Sequence, residues 1–232
     1  MQAGFLCLES GITRSKNSIN VAIKNLADFS IAALMFWVIG FGLMFGQSLN
    51  GLIGASLFFQ PFEHNNPWPS TFFIFQLMFC GAAVTIISGG TAERLQFWGY
   101  LIISLIVSSL VYPIYGHWVW GGTFTGSPGW LEAMGFVDFA GSSVVHSIGG
   151  WAALAALIII GPRSGRFEKN GKVNDIPGSN LPIAMLGALM LWVGWLGFNG
   201  GSALGITSAV PSIIIKTILG GGAGMIISLG IG

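Results

Sequence analysis

A carboxylate and an imidazole stand eight residues apart where a long apolar stretch begins. Asp138 and His146 lie in VDFAGSSVVHSIGG, and residues 151–161 that follow are apolar. Eight residues make about two helical turns, so the spacing predicts both side chains on one helix face, about 12 Å apart along its axis. An ionisable group at membrane depth is costly and indicates an ion or proton pathway. His146 is therefore a candidate functional residue, whereas Asp138 fits a helix N-cap equally well.

A second group of candidates is aromatic. Phe79 lies inside an apolar segment and Trp120 at the end of one, while Trp195, Phe198 and Ser202 are spaced for one helix face. Aromatic faces attract a small cation, and a serine oxygen accepts a hydrogen bond from an N–H donor. Together they suggest an outer cation site, an aromatic plug and a narrow lumen. Each also has a simpler interpretation: Phe79 as a packing contact, Trp120 as an interfacial anchor, and Ser202 as the cap of the next helix.

The composition is that of a polytopic membrane protein. Hydrophobic residues make up 53% of the 232 residues and charged residues 7%, against about a quarter charged in a soluble domain. We find no basic stripe for nucleic acid, no paired acid and base, and no Cys/His set with metal-ligand spacing. The sequence therefore predicts neither an enzyme nor a protein that needs a cofactor or metal.

The hydropathy pattern predicts an all-α membrane helical bundle with six full transmembrane helices and half of a first one. The half helix covers 1–11, and the full segments are predicted at 21–45, 72–91, 97–115, 139–161, 181–198 and 206–230. Both ends lie in apolar sequence, so we expect a piece of a longer protein.

The charges predict an orientation in the membrane. Eight of the nine basic residues fall on one side if the segments alternate: Arg14, Lys16, Lys24, Arg94, Arg163, Arg166, Lys169 and Lys172. The positive-inside rule assigns that side to the cytoplasm. We therefore expect a multi-pass protein of the cell inner (plasma) membrane, with the loops 47–70, 116–137 and 199–205 outside.

Five motifs carry a resemblance to a known family. They are GxTRSKN (11–17), GGTAERLQF (89–97), YPIYGHWVWGG (112–122), DFAGSSVVHSIGG (138–150) and GWLGFNGGSALG (194–205). In this order and spacing, the whole chain resembles the ammonium transporter (Amt/Mep/Rh) family. The resemblance implies one partial membrane domain over 1–232, covering about the first seven of the family's eleven helices.

The resemblance also implies roles for the candidate residues. Phe79, Trp120 and Ser202 match the outer ammonium recruitment site, and Phe79 and Phe198 match the phenylalanine gate. His146 matches the first of two pore histidines, and Trp195 matches a tryptophan that borders the pore. Asp138 matches an acidic residue with a structural role and a part in cation recruitment. The second pore histidine belongs to a later helix, and neither His64 nor His117 is expected to replace it.

Transport of ammonium or ammonia, with methylammonium as an analogue, is the function that the resemblance implies. It also implies a homotrimer in the lipid bilayer and a PII-type regulator. The alternative is an ammonium sensor, in which this membrane domain is fused to a cytoplasmic signalling module. Two residues fit the pattern less well. Lys216 replaces a small polar residue, so we expect it to pair with an acidic group. Glu9 lies within the membrane, as a packing or trimer-contact residue.

Overall fold

Helices form nearly all of the regular structure. The computed structural model describes residues 1–60 and 65–231. The first half contains α1 (Gln2–Ile12), α2 (Ser15–Met35), a π-helical turn (Phe36–Gly40), α3 (Phe41–Phe45), β1 (Ser48–Leu49), β2 (Ile53–Gly54) and α4 (Pro67–Thr91). The second half contains α5 (Phe97–Ile106), a π-helical turn (Val107–Val111), α6 (Tyr112–Trp120), α7 (Gly122–Thr125), α8 (Trp130–Ala133), a π-helical turn (Ser142–Ser147), α9 (Ile148–Ile160), α10 (Leu181–Gly201) and α11 (Val210–Ile231).

Six helical stretches in the described chain are long and apolar enough to cross a membrane. They are Ser15–Phe45, Pro67–Thr91, Phe97–Trp120, Ser142–Ile160, Leu181–Gly201 and Val210–Ile231. The eleven residues of α1 are too few to span a bilayer. The predicted all-α membrane bundle of six full helices and a half helix is therefore confirmed.

Several helices are longer than predicted because they continue into polar sequence that hydropathy leaves out. The second segment begins at Ser15 rather than residue 21, and the fourth continues to Trp120 rather than residue 115. The third begins at Pro67, where proline fits the first helical position and the Asn66 side chain accepts from the Trp68 N–H. The sixth segment continues from residue 198 to Gly201, whereas the seventh is shorter at its start, beginning at Val210 instead of residue 206.

The bundle has two recognisable ends. At one end, β1 and β2 form a short antiparallel hairpin in the segment predicted as a loop. The hairpin lies against the ends of α6 and α8, because the Trp118 indole donates to the Leu52 carbonyl and the Trp130 N–H to the Gly51 carbonyl. We call this the hairpin end. His64, which falls in the same loop, lies outside the described residues.

An ion-pair cluster marks the opposite end, which we call the arginine end. The Glu93 carboxylate accepts from the backbone N–H of Arg14 at 2.6 Å and from its Nε at 3.0 Å, and Arg163 lies 3.7 Å away. Burial by itself would raise the pKa of Glu93, but the hydrogen bonds and charge of Arg14 outweigh it and hold that pKa below its ordinary value. The cluster joins the turns that follow α1, α4 and α9.

Glycine allows α1 to lie directly on α10. A Cβ at Gly187 would stand 2.3 Å from the Leu8 nitrogen, and one at Gly11 would stand 2.6 Å from the Ala184 nitrogen. Such backbone contact is the use of small residues between membrane helices. The half helix is thus held along its whole length.

Glu9 is a packing residue within the chain. Its side chain is 3% exposed, and it accepts from Asn25 Nδ2 at 2.9 Å and from Ser88 Oγ at 2.7 Å. These bonds link α1 to α2 and α4, so the first of the two predicted roles of Glu9 is confirmed. One helical turn further along α2, the buried Asp28 carboxylate accepts from the Tyr100 hydroxyl of α5.

Candidate functional site

Two phenylalanine rings close the space between α4 and α10. The ring centroids of Phe79 and Phe198 are 4.2 Å apart with planes at 68°, and the residues are 2% and 6% exposed. The two helices approach closely here: a Cβ at Gly201 of α10 would lie 2.6 Å from the Phe75 ring of α4. The pair forms an aromatic plug with no polar atom of its own.

Trp120 contacts this plug from the hairpin end. Its ring meets Phe79 edge-on at a centroid distance of 6.0 Å, and its Nε1–H donates to the Asp138 carbonyl at 2.7 Å. Because this hydrogen bond uses the indole N–H, it is the indole face of Trp120 that stays available for contact with another molecule. Trp120 therefore takes part in the plug contacts and is more than an interfacial anchor.

His146 lies on the other side of the plug. Its ring stacks on Trp195 at 5.3 Å and 14°, and it is 5.7 Å from Phe198. Trp195 precedes Phe198 by three residues on α10, so it is about one turn, or roughly 5 Å, further from the hairpin end. The structure thus brings Trp120, Phe79, Phe198, Trp195 and His146 into one continuous chain of ring contacts.

Asp138 is not on the helix that carries His146, so the predicted shared helix face is wrong. The helix begins at Ser142, after Gly141 at φ +97°. The Asp138 carboxylate accepts from the N–H groups of Gly141, Ser142, Ser143 and Val144 at 2.7–2.9 Å. These are the N–H groups that a helix start leaves without partners, so the carboxylate caps the helix.

The capping bonds also set the charge of Asp138. Burial alone would raise its pKa, but the hydrogen bonds from Val144, Ser143 and Gly141 outweigh this and lower the pKa below its ordinary value. The carboxylate therefore stays ionised at the hairpin-end start of the His146 helix. Its backbone carbonyl at the same time holds Trp120, so one residue positions both ends of the ring chain.

Ser202 lies at the end of α10 and does not cap α11, which begins eight residues later. The alternative interpretation of Ser202 as a cap of the next helix is therefore wrong. Its hydroxyl donates to the Phe198 carbonyl at 2.8 Å, which leaves the oxygen lone pairs free to accept.

Phe75 is a site residue that the sequence interpretation missed. Its ring meets Phe79 edge-on at 4.6 Å. A Cβ at Gly201, next to Ser202, would lie 2.6 Å from the Phe75 ring. The spacing of four between Phe75 and Phe79 on one helix was the signal that could have found it.

Lys216 lines an open cavity of about 340 Å³ between α10, α11 and the segment before α9. Its lining includes Ser142, Asn199 and Thr217, and Asn199 donates to the Thr217 hydroxyl at 2.9 Å. None of the described residues that line this cavity is acidic. The expected acidic partner of Lys216 stays a prediction.

Comparison with known proteins adds the evolutionary context. A profile described as "Ammonium Transporter Family" matches residues 1–232. A candidate ammonium transporter from Synechocystis sp. is 54% identical over 98% of this chain and 43% of its own length. The ammonium transporter Amt2 from Archaeoglobus fulgidus is 43% identical over all of this chain and 50% of its own.

Solved structures give the same match. A protein titled "Sensor Amt Protein" superposes with a TM-score of 0.88 and 44% identity, over 93% of this chain and 54% of its own. Mep2 from Saccharomyces cerevisiae superposes with a TM-score of 0.78 and 25% identity, over 93% and 48%. The chain spans about half the length of the relatives it matches.

Proposed function

The chain belongs to the ammonium transporter family, and we propose that it supplies the outer site, the gate and part of the pore of a protein that carries ammonium or ammonia across a membrane. The family is one of membrane transporters and not of enzymes. In this proposal residues 1–232 are one continuous part of the membrane domain. The observation that carries the proposal is the line of rings from Trp120 through Phe79 and Phe198 to His146.

The first step is recruitment of ammonium at the hairpin end. The Trp120 indole face and the edge-on Phe75 and Phe79 rings offer π surface to a small cation, and the Ser202 oxygen is free to accept one N–H. Cation–π attraction contributes about 0.5–2 kcal/mol per good contact. The ionised Asp138, close to Trp120, adds a negative charge that favours a cation on this side of the gate.

The second step is passage through the gate. The Phe79 and Phe198 rings are buried and touch, so one of them must rotate before a molecule the size of ammonia passes. An apolar passage disfavours a charged species strongly and a neutral one weakly, because an unpaired charge loses its hydration there. The gate therefore favours ammonia over ammonium beyond this point.

The third step is capture beyond the gate by His146. The imidazole is fixed in orientation by Trp195 and offers a nitrogen that accepts or donates a hydrogen bond according to its tautomer. A lone histidine holds one molecule but cannot relay a proton onward by itself. We propose that a second histidine completes the relay in the whole protein.

Membrane placement and assembly are further parts of the proposal. The basic loops meet at the arginine end, where Arg14 and Arg163 flank Glu93, and we assign that end to the cytoplasm of a cell inner membrane. Family membership leads us to expect a homotrimer and a PII-type regulator. Native mass spectrometry of the full-length protein in detergent is expected to give three times the subunit mass.

An ammonium sensor is the alternative that we do not propose. The matching family profile and the curated relatives are transporters by description, although one similar structure carries the word sensor in its title. Uptake separates the two, because a sensor can bind ammonium without carrying it.

The experiment is uptake of labelled methylammonium into proteoliposomes that contain the full-length protein. Phe198→Ala and His146→Ala should each abolish most of the saturable uptake. Trp151→Phe is the matched control, because Trp151 is an aromatic residue 70% exposed on the same helix as His146. Unchanged uptake in both site variants would refute the pore assignment, and absence of uptake in the unaltered protein would favour the sensor.

A further inference from the structure

We propose that Lys216 determines the affinity for cations: its fixed positive charge opposes the entry of ammonium and other small cations near the gate. The inference rests on the proposed function, which assigns Phe79 and Phe198 to the gate and the hairpin end to the outside. It concerns how tightly a cation is held there, and adds no step to the transport pathway.

The cavity that Lys216 lines is at the depth of the gate. Its wall includes Asn199, which follows Phe198 on α10, and Ser142, the first residue of the helix that carries His146. One cavity of about 340 Å³ therefore borders both the helix of the gate and the start of the His146 helix.

A hydrogen bond holds the helix of Lys216 beside the gate. Asn199 Nδ2 donates to Thr217 Oγ1 at 2.9 Å, and the Thr217 hydroxyl donates to the Ile213 carbonyl of its own helix at 2.8 Å. Thr217 is the residue after Lys216, and Asn199 is the residue after Phe198. The bond therefore fixes the backbone of the lysine next to the helical turn that carries the gate ring.

The charge of Lys216 is not neutralised by a contact within the described part of the chain. Its ammonium group takes part in none of the ion pairs and hydrogen bonds of the described residues. The other polar side chains that line the cavity are those of Ser142, Asn199 and Thr217, and all three are neutral. An ammonium group without an anion in contact exerts its full field on a second cation nearby.

Asp138 borders the same cavity with the opposite charge. Its carboxylate accepts from the Ser142 N–H at 2.9 Å, and the next residue, Phe139, lines the cavity. The ionised carboxylate attracts a cation to this side of the gate, whereas Lys216 repels it. Removal of the lysine charge should therefore leave the attraction of Asp138 unopposed.

The repulsion has a size and a signature that a lost contact lacks. Two unit charges about 10 Å apart change a binding constant about 2- to 15-fold, over effective dielectric constants from that of water to that of a protein surface. Coulomb repulsion depends on charge and not on hydrogen bonding. Potassium, which has no N–H to donate, should therefore be affected by Lys216 as much as methylammonium.

The test compares KM for methylammonium with the inhibition constant of potassium, in proteoliposomes that contain the full-length protein. In Lys216→Gln both constants should fall by the same factor, about 2- to 15-fold. Lys216→Arg keeps the charge and should keep both constants. The effect of Lys216→Gln should shrink when N-methylglucamine chloride raises the ionic strength, because salt screens the repulsion. Lys172→Gln is the matched control, since Lys172 pairs with Glu168 on the loop at the arginine end.

Three results would overturn the proposal. The first is unchanged constants in Lys216→Gln, the result expected if an acidic partner neutralises the lysine. The second is an equal fall in Lys216→Arg, which would make the shape of the side chain the cause. The third is a fall in KM for methylammonium without a fall in the potassium constant.

A second experiment tests the field at this position without transport. Lys216→Cys in lipid nanodiscs is treated with the cationic thiol reagent MTSET or the anionic reagent MTSES, and intact mass gives the rates. With Asp138 unopposed, the MTSET-to-MTSES rate ratio should exceed that of a free thiol about 2- to 15-fold. Addition of Asp138→Asn should reduce this excess, and the unaltered protein gives the background from Cys7 and Cys80.

A cysteine that neither reagent modifies would overturn the proposal, because a charge at that position would not face a water-filled space. A rate ratio equal to that of the free thiol would overturn it as well. Modification is measured without uptake. Absence of uptake in the unaltered protein would therefore contradict the proposed function alone, and the rate ratio would still decide whether position 216 opposes cations.

Discussion

The imidazole of His146 lies nearly parallel to the indole of Trp195, with 5.3 Å between ring centroids and 14° between planes. The two residues come from different membrane helices, so the stack fixes the direction of the imidazole nitrogens as well as the depth of the ring. Offset stacking of this kind contributes about 0.5–1.5 kcal/mol beyond the buried area.

Removal of the stacking contact should show how far uptake depends on the orientation of the His146 imidazole. Trp195→Leu keeps an apolar side chain but loses the flat surface, so His146 gains rotational freedom and uptake of methylammonium should fall about 2- to 10-fold. Trp195→Phe keeps a ring and should retain more activity than the leucine variant. Equal uptake in both variants would mean that the stack has no part in orienting His146.

Trp120 should affect affinity more than rate. Trp120→Leu removes the indole face and the hydrogen bond to the Asp138 carbonyl, and KM for methylammonium should rise about 2- to 30-fold, the range for a lost cation–π contact. Trp118→Leu is the matched control, because Trp118 donates to Leu52 of the hairpin and not to the site. A rise in KM that is the same in both variants would point to a general effect on the hairpin end.

Asp138 should contribute to stability as a cap. Asp138→Ala leaves the N–H groups of Gly141 to Val144 without their acceptor, and the free energy of unfolding should fall by about 1–3 kcal/mol. Asp138→Asn keeps one acceptor oxygen and should lose less. Thermal unfolding in detergent measures both, with the exposed Asp175→Asn as control. An alanine variant as stable as the control would contradict the capping role.

Glu93 should make the arginine end sensitive to acid. Its pKa in the folded protein lies below that of the unfolded chain, which is about 4.3. Its contribution is therefore fully present above about pH 4.3 and is lost as the pH falls through the folded-state pKa. The melting temperature of Glu93→Gln should lie below that of the unaltered protein at pH 7, and the gap should narrow below pH 4.

The control for the acid effect is Glu168→Gln. Glu168 pairs with Lys172 at 3.9 Å on an exposed loop, and such pairs contribute little. The melting temperature of this variant should equal that of the unaltered protein at every pH. A gap for Glu93→Gln that stays constant down to pH 3.5 would contradict the ion-pair explanation.

The number of spanning helices could be predicted because a helix that crosses the bilayer needs a long run of apolar residues, and such runs are visible in the sequence. The ends of those helices could not, because backbone hydrogen bonding continues through polar residues such as those at 15–20. The β1–β2 hairpin was not predicted, because strands of two residues are too short to show an alternation of apolar and polar residues.

The candidate site could also be predicted only in part. The residue types of Phe79, Phe198 and His146 were readable from the sequence, and the family motifs supplied their roles. The position of Asp138 outside the helix depends on Gly141 and its left-handed backbone, which spacing alone does not reveal. The part played by Phe75 depends on the absence of a side chain at Gly201 on another helix, and such contacts appear only once the helices are packed.

Gly201 should be essential for the shape of the outer site. A methyl group there would lie 2.6 Å from the Phe75 ring, so Gly201→Ala must push Phe75 away and disturb its edge-on contact with Phe79. We expect a loss of about 1–3 kcal/mol in stability from overpacking, and uptake reduced several-fold. Gly197→Ala is the matched control, because Gly197 is on the same helix and a Cβ there meets no atom within 4 Å. The double variant Gly201→Ala with Phe75→Leu removes the clash. Its loss in the free energy of unfolding should therefore be smaller than the sum of the losses in the two single variants. Strict additivity of the two substitutions would show that Gly201 and Phe75 do not act through each other.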